Sequence, residues 1–157
     1  MPTPCDQEDG DPALVESVRP AAGDRVTHIL DWFHISMRVR HVEQALAGLL
    51  GSDLEQKGPL RYVELDVSRL RHLIWNGYGD EARRALRNIT DIAANAIWLN
   101  AQRGKVRIER FIQLGSELQT YLTLNASALV DYGRRYRAGR RCQSKFSGCP
   151  GCVSVGA

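Results

Sequence analysis

The sequence predicts a mainly α-helical fold, a helical bundle preceded by one short strand. Three observations support this class. Long stretches of the 157 residues repeat apolar side chains every three or four positions, as amphipathic helices do. Glycines and an Asn-Gly pair separate these stretches, which is typical of helices joined by short connections. Apolar residues make up 43% of the chain, enough for the packed core of one domain.

The first part of the chain is expected to hold a short helix and a strand. Asp11 can cap a helix that has Pro12 at its first position, and Pro20 ends that helix. Residues 26–30 are partly β-branched and follow a Gly-Asp turn, which favours a buried strand. Because one strand cannot form a sheet, we interpret it as the remnant of an α/β unit whose other strands lie outside this sequence.

Five helices are predicted to follow. The first begins at Trp32 and is stopped by Gly51, and the third has Asp80 as its expected N-cap. The alanines of the third helix indicate close helix packing. In chain order the five are expected over residues 32–50, 60–75, 80–103, about 106–124 and 126–132. The apolar stripe of the first is Ile35, Val39, Val42, Leu46 and Leu49.

The net charge of +3 is unevenly distributed. Residues 134–157 contain six bases and no acid, which leaves 15 of the 21 bases against all 18 acids in the first 133 residues. Such a cluster is the pattern of a strip that contacts phosphates, and the alternative is a solvated tail. The six bases are Arg134, Arg135, Arg137, Arg140, Arg141 and Lys145.

Residues 133–141, Gly-Arg-Arg-Tyr-Arg-Ala-Gly-Arg-Arg, interleave five arginines with a tyrosine. Arginine binds phosphates bidentately, Tyr136 can stack on a base, and the glycines let the backbone approach a nucleic-acid strand. We therefore expect a nucleic-acid contact here, with a solubilising linker after the last helix as the alternative.

Other classes of protein are disfavoured by the sequence. No run approaches the roughly 18 apolar residues of a membrane span, and the acidic N-terminus is unlike a signal peptide, so we expect no membrane partner and a cytoplasmic location. The four cysteines are expected to be free thiols. The Cys-Pro-Gly-Cys at residues 149–152 lacks both the strand-to-helix context of a redox motif and the second ligand pair of a zinc site.

Asp31 and His34 are the clearest candidates for chemistry outside the arginines. On a helix that starts near Asp31, residues 31, 34, 38 and 41 share a face. Asp31 and His34 would be close enough to share a metal ion or a proton, whereas His41 lies about 10 Å further along, too far for one ion. The alternative is a helix N-terminus at which the acid favours the dipole and the histidine bonds a neighbour.

Four motifs in order resemble a known family. EDGDPAL, HILDWFHISMRVRHVEQ, LIWNGYGDEARRAL and LNASALVDYGRRYRAGRR are similar to the middle of bacterial insertion-sequence transposases of the DDE type, in the Kra-type group related to Mutator-like transposases. The resemblance covers about residues 8–141. It implies an RNase H-like catalytic domain interrupted by an all-helical insertion. Residues 1–31 would then be a catalytic-domain remnant, 32–133 the insertion, and 134–157 a basic loop with an unstructured, frameshifted tail.

The resemblance also implies the chemistry of DNA cleavage and strand transfer. Asp9 matches a catalytic acid of the family and is the favoured metal ligand, while Asp31 and His34 match the motif downstream of it. Two Mg²⁺ or Mn²⁺ ions about 4 Å apart would be held by three carboxylates.

Two of the three carboxylates have no counterpart in this sequence. The first acid would precede Met1, and no Asp or Glu follows Asp131, where the last is expected. We therefore expect a truncated, inactive transposase fragment that holds no metal stably. The alternative is a non-catalytic module that binds insertion-sequence ends or associates with an intact transposase or with a second copy of itself.

Overall fold

The computed structural model describes residues 29–140, which form a helical bundle. No strand occurs within this range, so the predicted mainly helical class is confirmed for it. The helices are α1 (Trp32–Leu50), α2 (Gly58–Tyr62), α3 (Glu64–Trp75), α4 (Gly79–Leu99), α5 (Lys105–Leu124) and α6 (Tyr132–Arg137), with a 3-10 turn at Ala126–Ala128.

Helix α1 forms where the apolar stripe predicts it. Every residue of the predicted stripe is buried. Asp31 caps the helix by accepting a hydrogen bond from the Phe33 N–H, and the Gly51 N–H bonds the Ala47 carbonyl at the other end. Helix α1 packs mainly against α5 and α3.

Helices α4 and α5 form the most extensive helix pair, as the alanines of α4 predict. Ala82, Ala93 and Ala96 are buried on α4. On the facing helix, a Cβ added at Gly115 would lie 3.0 Å from the Thr90 methyl group. Small side chains on both helices therefore allow their backbones to approach closely.

The second and third predicted helices differ from the observed ones at their starts. The range 60–75 is divided at Val63 into α2 and α3, and Val63 is buried between them. Pro59 lies at the start of α2, where its missing N–H costs no hydrogen bond. Asp80 is not the N-cap of α4, because the helix begins one residue earlier and Asp80 pairs with Arg83 inside the first turn.

The predicted helix over 126–132 is also wrong. A 3-10 turn occupies its start, and α6 begins at Tyr132, the last residue of the predicted helix, and continues through Gly133. The new helix is capped by the Asp131 carboxylate, which accepts from the Arg134 N–H at 2.7 Å. The basic segment predicted as a loop therefore starts as a helix.

The two ends of the bundle are joined directly. The Leu30 N–H donates to the Ala128 carbonyl at 3.1 Å, and the Tyr132 hydroxyl donates to the Leu30 carbonyl at 2.9 Å. Of the predicted strand, only Ile29 and Leu30 fall within the described range, and neither belongs to a strand. The rest of that strand and the helix predicted after Asp11 lie outside the described residues. We call this end of the molecule, where residues 29–31 and 128–140 meet, the closure end.

Candidate nucleic-acid interface

Four aromatic rings fix α6 to the closure end. The ring of Trp32 on α1 lies 4.7 Å from that of Trp75 on α3 and 5.3 Å from that of Tyr132 on α6. Trp75 also lies 6.2 Å from Tyr132 and 6.1 Å from Tyr136. Aromatic pairs at these separations favour tilted and edge contacts, which add to the energy of burial. The short helix is thus held by tertiary packing rather than by its own length.

Gly133 brings α6 close to this aromatic cluster. A Cβ at this position would lie 2.8 Å from Trp75 Nε1 and 3.2 Å from the Asn76 side-chain oxygen. The glycine therefore allows α6 to pack closely against the end of α3. Rules based on the local sequence cannot predict this contact, because it joins residues that are distant in the chain. Because Gly133 and Tyr132 are both buried, the helix turns its remaining residues outward.

The outward residues of α6 and the turn after it are mainly arginines. Arg134, Arg137 and Arg140 are exposed, and Arg135 is half-buried. Asp131, an acid of the described part of the chain that lies beside them, is engaged as the N-cap of α6. The cluster therefore presents positive charge at the closure end, and we call it the arginine cluster.

An open depression of about 390 Å³ lies within the arginine cluster. Its walls combine three arginines with the Asp131 carboxylate and short apolar side chains. The lining residues are Val130, Asp131, Arg134, Arg135, Ala138 and Arg140.

Tyr136 is placed where it can contribute to the same surface. Its side chain is 42% exposed while its ring packs against Trp75. The packing restricts the ring and leaves part of it open to a base or a sugar. Arg141, the remaining predicted contact, lies outside the described residues.

Asp31 and His34 lie beside each other as predicted. Their geometry is that of a helix N-terminus capped by the acid, with the histidine next to it. One Asp31 oxygen accepts from the Phe33 N–H at 2.8 Å, and the other lies 3.5 Å from His34 Nδ1. Asp31 is buried and His34 is half-exposed. Further along the shared face, Arg38 lies over the Tyr121 ring at 4.3 Å, and His41 is exposed.

Within residues 29–140, both oxygens of the Asp31 carboxylate already have a neighbour. One of its carboxylate oxygens caps α1 and the other faces the His34 ring, and hard cations such as Mg²⁺ need several oxygen ligands. Within residues 29–140 no group of three His, Cys, Asp or Glu side chains could hold a metal ion. Asp9, the predicted metal ligand, lies outside this range.

Sequence reasoning missed the residues that hold the arginine cluster in place. Trp32, Trp75 and Tyr132 flank helix boundaries that local rules treat one at a time, and their contact joins three helices distant in the sequence. The available signal was the recurrence of aromatic residues beside predicted helix ends.

No family model matches the chain, and neither a curated protein nor a solved structure matches it. Among the helices of the described part, none is long and apolar enough to cross a membrane.

Proposed function

We propose that residues 32–133 are the helical insertion of an insertion-sequence transposase of the DDE type, in the Kra-type group, and that the chain binds DNA through the arginine cluster. The transposases that it resembles cleave DNA and transfer strands. We propose that this chain binds without carrying out that chemistry.

The proposal of an insertion rests on the closeness of the first and last residues of the bundle. A domain inserted into another must leave and return to its host at neighbouring points, and closely spaced ends are what makes such insertion tolerable. Here Leu30, at the entry, is hydrogen-bonded both to Ala128 and to Tyr132, at the exit. These hydrogen bonds support the proposal that the bundle leaves and re-enters a host domain at one site.

The arginine cluster supports DNA as the partner. Arginines at exposed positions around an open depression can each pair with a phosphate, and phosphate contacts supply most of the non-specific affinity for DNA. The half-covered ring of Tyr136 can add stacking on an unpaired base, although most contacts would be to the backbone. We therefore expect binding that depends weakly on sequence and steeply on salt.

The proposal of a non-catalytic role rests on the number of carboxylates. Two-metal cleavage needs acids that clamp both ions. The motifs of this sequence supply Asp9 for that role, while Asp31 caps α1. We therefore propose that Mg²⁺ or Mn²⁺, expected of the parent family, is not held stably by this chain.

Fluorescence anisotropy with a labelled duplex tests the DNA-binding proposal. Replacing Arg134 and Arg137 by glutamine removes two exposed charges from α6, and we expect the affinity at low salt to fall by about tenfold. The matched control replaces Arg61 and Arg69, two exposed arginines on α2 and α3, and should bind nearly as the unmodified protein does. Equal losses in both variants, or no binding of the unmodified chain, would overturn the assignment to α6.

A further inference from the structure

A short turn joins α3 to α4 and lies beside the chain that leads into α6. A Cβ added at Gly77 would lie 3.2 Å from the Asp131 Cα, and one added at Gly79 would lie 3.1 Å from a methyl carbon of Leu129. Tyr78 lies between these two contacts in the chain. Since adjacent residues have Cα atoms about 3.8 Å apart, the Cα of Tyr78 is within about 9 Å of that of Asp131. The turn therefore packs against the closure end.

The two segments contact each other in antiparallel order. Trp75 packs against Tyr136, whereas the turn that follows Trp75 contacts Asp131 first and Leu129 second. Tyr78 therefore lies beside the start of α6, and Tyr136 lies in its last turn. Because a helix rises about 1.5 Å per residue, Asp131 and Tyr136 are separated by roughly 8 Å along α6. Two arginines of the arginine cluster come between them in the chain.

The backbone that carries Tyr78 is held on both sides. The Tyr78 N–H donates to the Leu73 carbonyl at 2.8 Å, and the Tyr78 carbonyl accepts from the Ala82 N–H at 3.0 Å. Gly77 has a φ of +81°, in the left-handed region that glycine adopts without steric cost. The side chain of Tyr78 is nevertheless 52% exposed. A side chain offered from an ordered backbone loses less conformational entropy when it binds a ligand.

Exposed tyrosine rings beside arginines favour a nucleic-acid strand whose bases are unpaired. In a duplex the faces of the bases are stacked on one another, so a protein ring has no base face to contact. In a single strand the bases can stack on aromatic side chains, whatever the sequence, while a basic surface contacts the phosphates. Tyr78 and Tyr136 supply two such rings, 52% and 42% exposed, and the arginine cluster supplies the basic surface.

We propose that the closure end binds single-stranded DNA in preference to duplex DNA, and that Tyr78 is a second residue on which a base stacks. The inference rests on the proposed binding of DNA by the arginine cluster and adds the form of DNA that is bound. One base stacks on Tyr136 and another base of the same strand stacks on Tyr78. The arginines between the two rings contact the phosphates of that strand.

Fluorescence anisotropy of the full chain with two labelled probes tests the inference. The probes are a thymidine oligonucleotide, which cannot pair with itself, and a duplex of the same length. We expect the single strand to bind about tenfold more tightly than the duplex at equal salt. Tyr78→Ala should weaken binding of the single strand about tenfold and change binding of the duplex by less than about twofold, because only unpaired bases stack on the ring.

Tyr62→Ala is the matched control. Tyr62 is 73% exposed and precedes α3, whereas Tyr78 follows it, and the 12 residues of α3 span about 18 Å. The control should bind both probes as the unmodified chain does. Tyr78→Phe keeps an aromatic ring and should retain the preference for the single strand, whereas Tyr78→Leu keeps apolar bulk without a ring and should lose it.

The outcomes separate this inference from the proposed function, and thermal melts establish that each variant is folded. Equal affinity of the unmodified chain for both probes would overturn the preference for a single strand and leave DNA binding by the arginine cluster standing. Equal losses for both probes in Tyr78→Ala, or no loss for either, would overturn the stacking role of Tyr78. Tighter binding of a uridine RNA strand than of the thymidine strand would reject DNA as the partner. Failure of the unmodified chain to bind either DNA probe would overturn the proposed function as well.

Discussion

The hydroxyl of Tyr132 donates a hydrogen bond of 2.9 Å to the carbonyl of Leu30, across 102 residues of sequence. Both residues are fully buried. This bond, beside that between Leu30 and Ala128, joins the entry of the bundle to its exit and anchors the helix that carries the arginine cluster.

Tyr132→Phe removes the hydroxyl and keeps the ring. We expect the free energy of unfolding to fall by about 1–2 kcal/mol, because the Leu30 carbonyl loses a buried donor. Urea denaturation measures the change. Tyr62→Phe is the control, since its exposed hydroxyl can bond water in either state, and it should change stability by less than about 0.5 kcal/mol. Equal stability of the two variants would contradict the role given to Tyr132.

Gly133→Ala tests the close approach of α6 to Trp75. A methyl group there would lie 2.8 Å from Trp75 Nε1, so α6 or the indole must move, and we expect a loss of about 1–3 kcal/mol. Gly48→Ala is the matched control within α1, where no atom beyond the adjacent residues and the backbone of the same helix lies within 4 Å of the added methyl group. That change should stabilise the protein by about 0.5–1 kcal/mol. Thermal or urea unfolding of both variants would show opposite signs, and a gain at Gly133 would refute the packing argument.

Two substitutions at Asp31 show whether the side chain is needed as a helix cap or for its negative charge. Asp31→Ala removes the acceptor for the Phe33 N–H and should cost about 1 kcal/mol, whereas Asp31→Asn keeps an acceptor and should cost a few tenths. Chemical denaturation at constant pH compares the two variants. Asparagine proving as damaging as alanine would mean that the carboxylate charge, and not the cap, is what the site requires.

The helices were predictable where periodicity alone decides them. Ile35, Val39 and Val42 repeat at helical spacing and are all buried in α1. The tight pairing of α4 with α5 likewise follows from alanines visible in the sequence.

The closure end was not predictable by local rules. A glycine that follows a predicted helix normally ends it. Gly133 instead lies inside α6 and packs against Trp75, which is distant in the sequence. Asp31 and His34 were correctly placed together, yet whether the carboxylate caps or binds an ion depends on which other groups surround it. Such information appears only when the helices are packed.

The salt dependence of DNA binding shows whether the arginine cluster contacts phosphates. If the arginine cluster contacts phosphates, a plot of log affinity for a duplex against log salt concentration should be steep. Replacing Arg134 and Arg137 by glutamine should then reduce its slope by about 2, while replacing Arg61 and Arg69 should leave it nearly unchanged. The same slope for the unmodified protein and the Arg134 and Arg137 variant would show that α6 does not contact DNA.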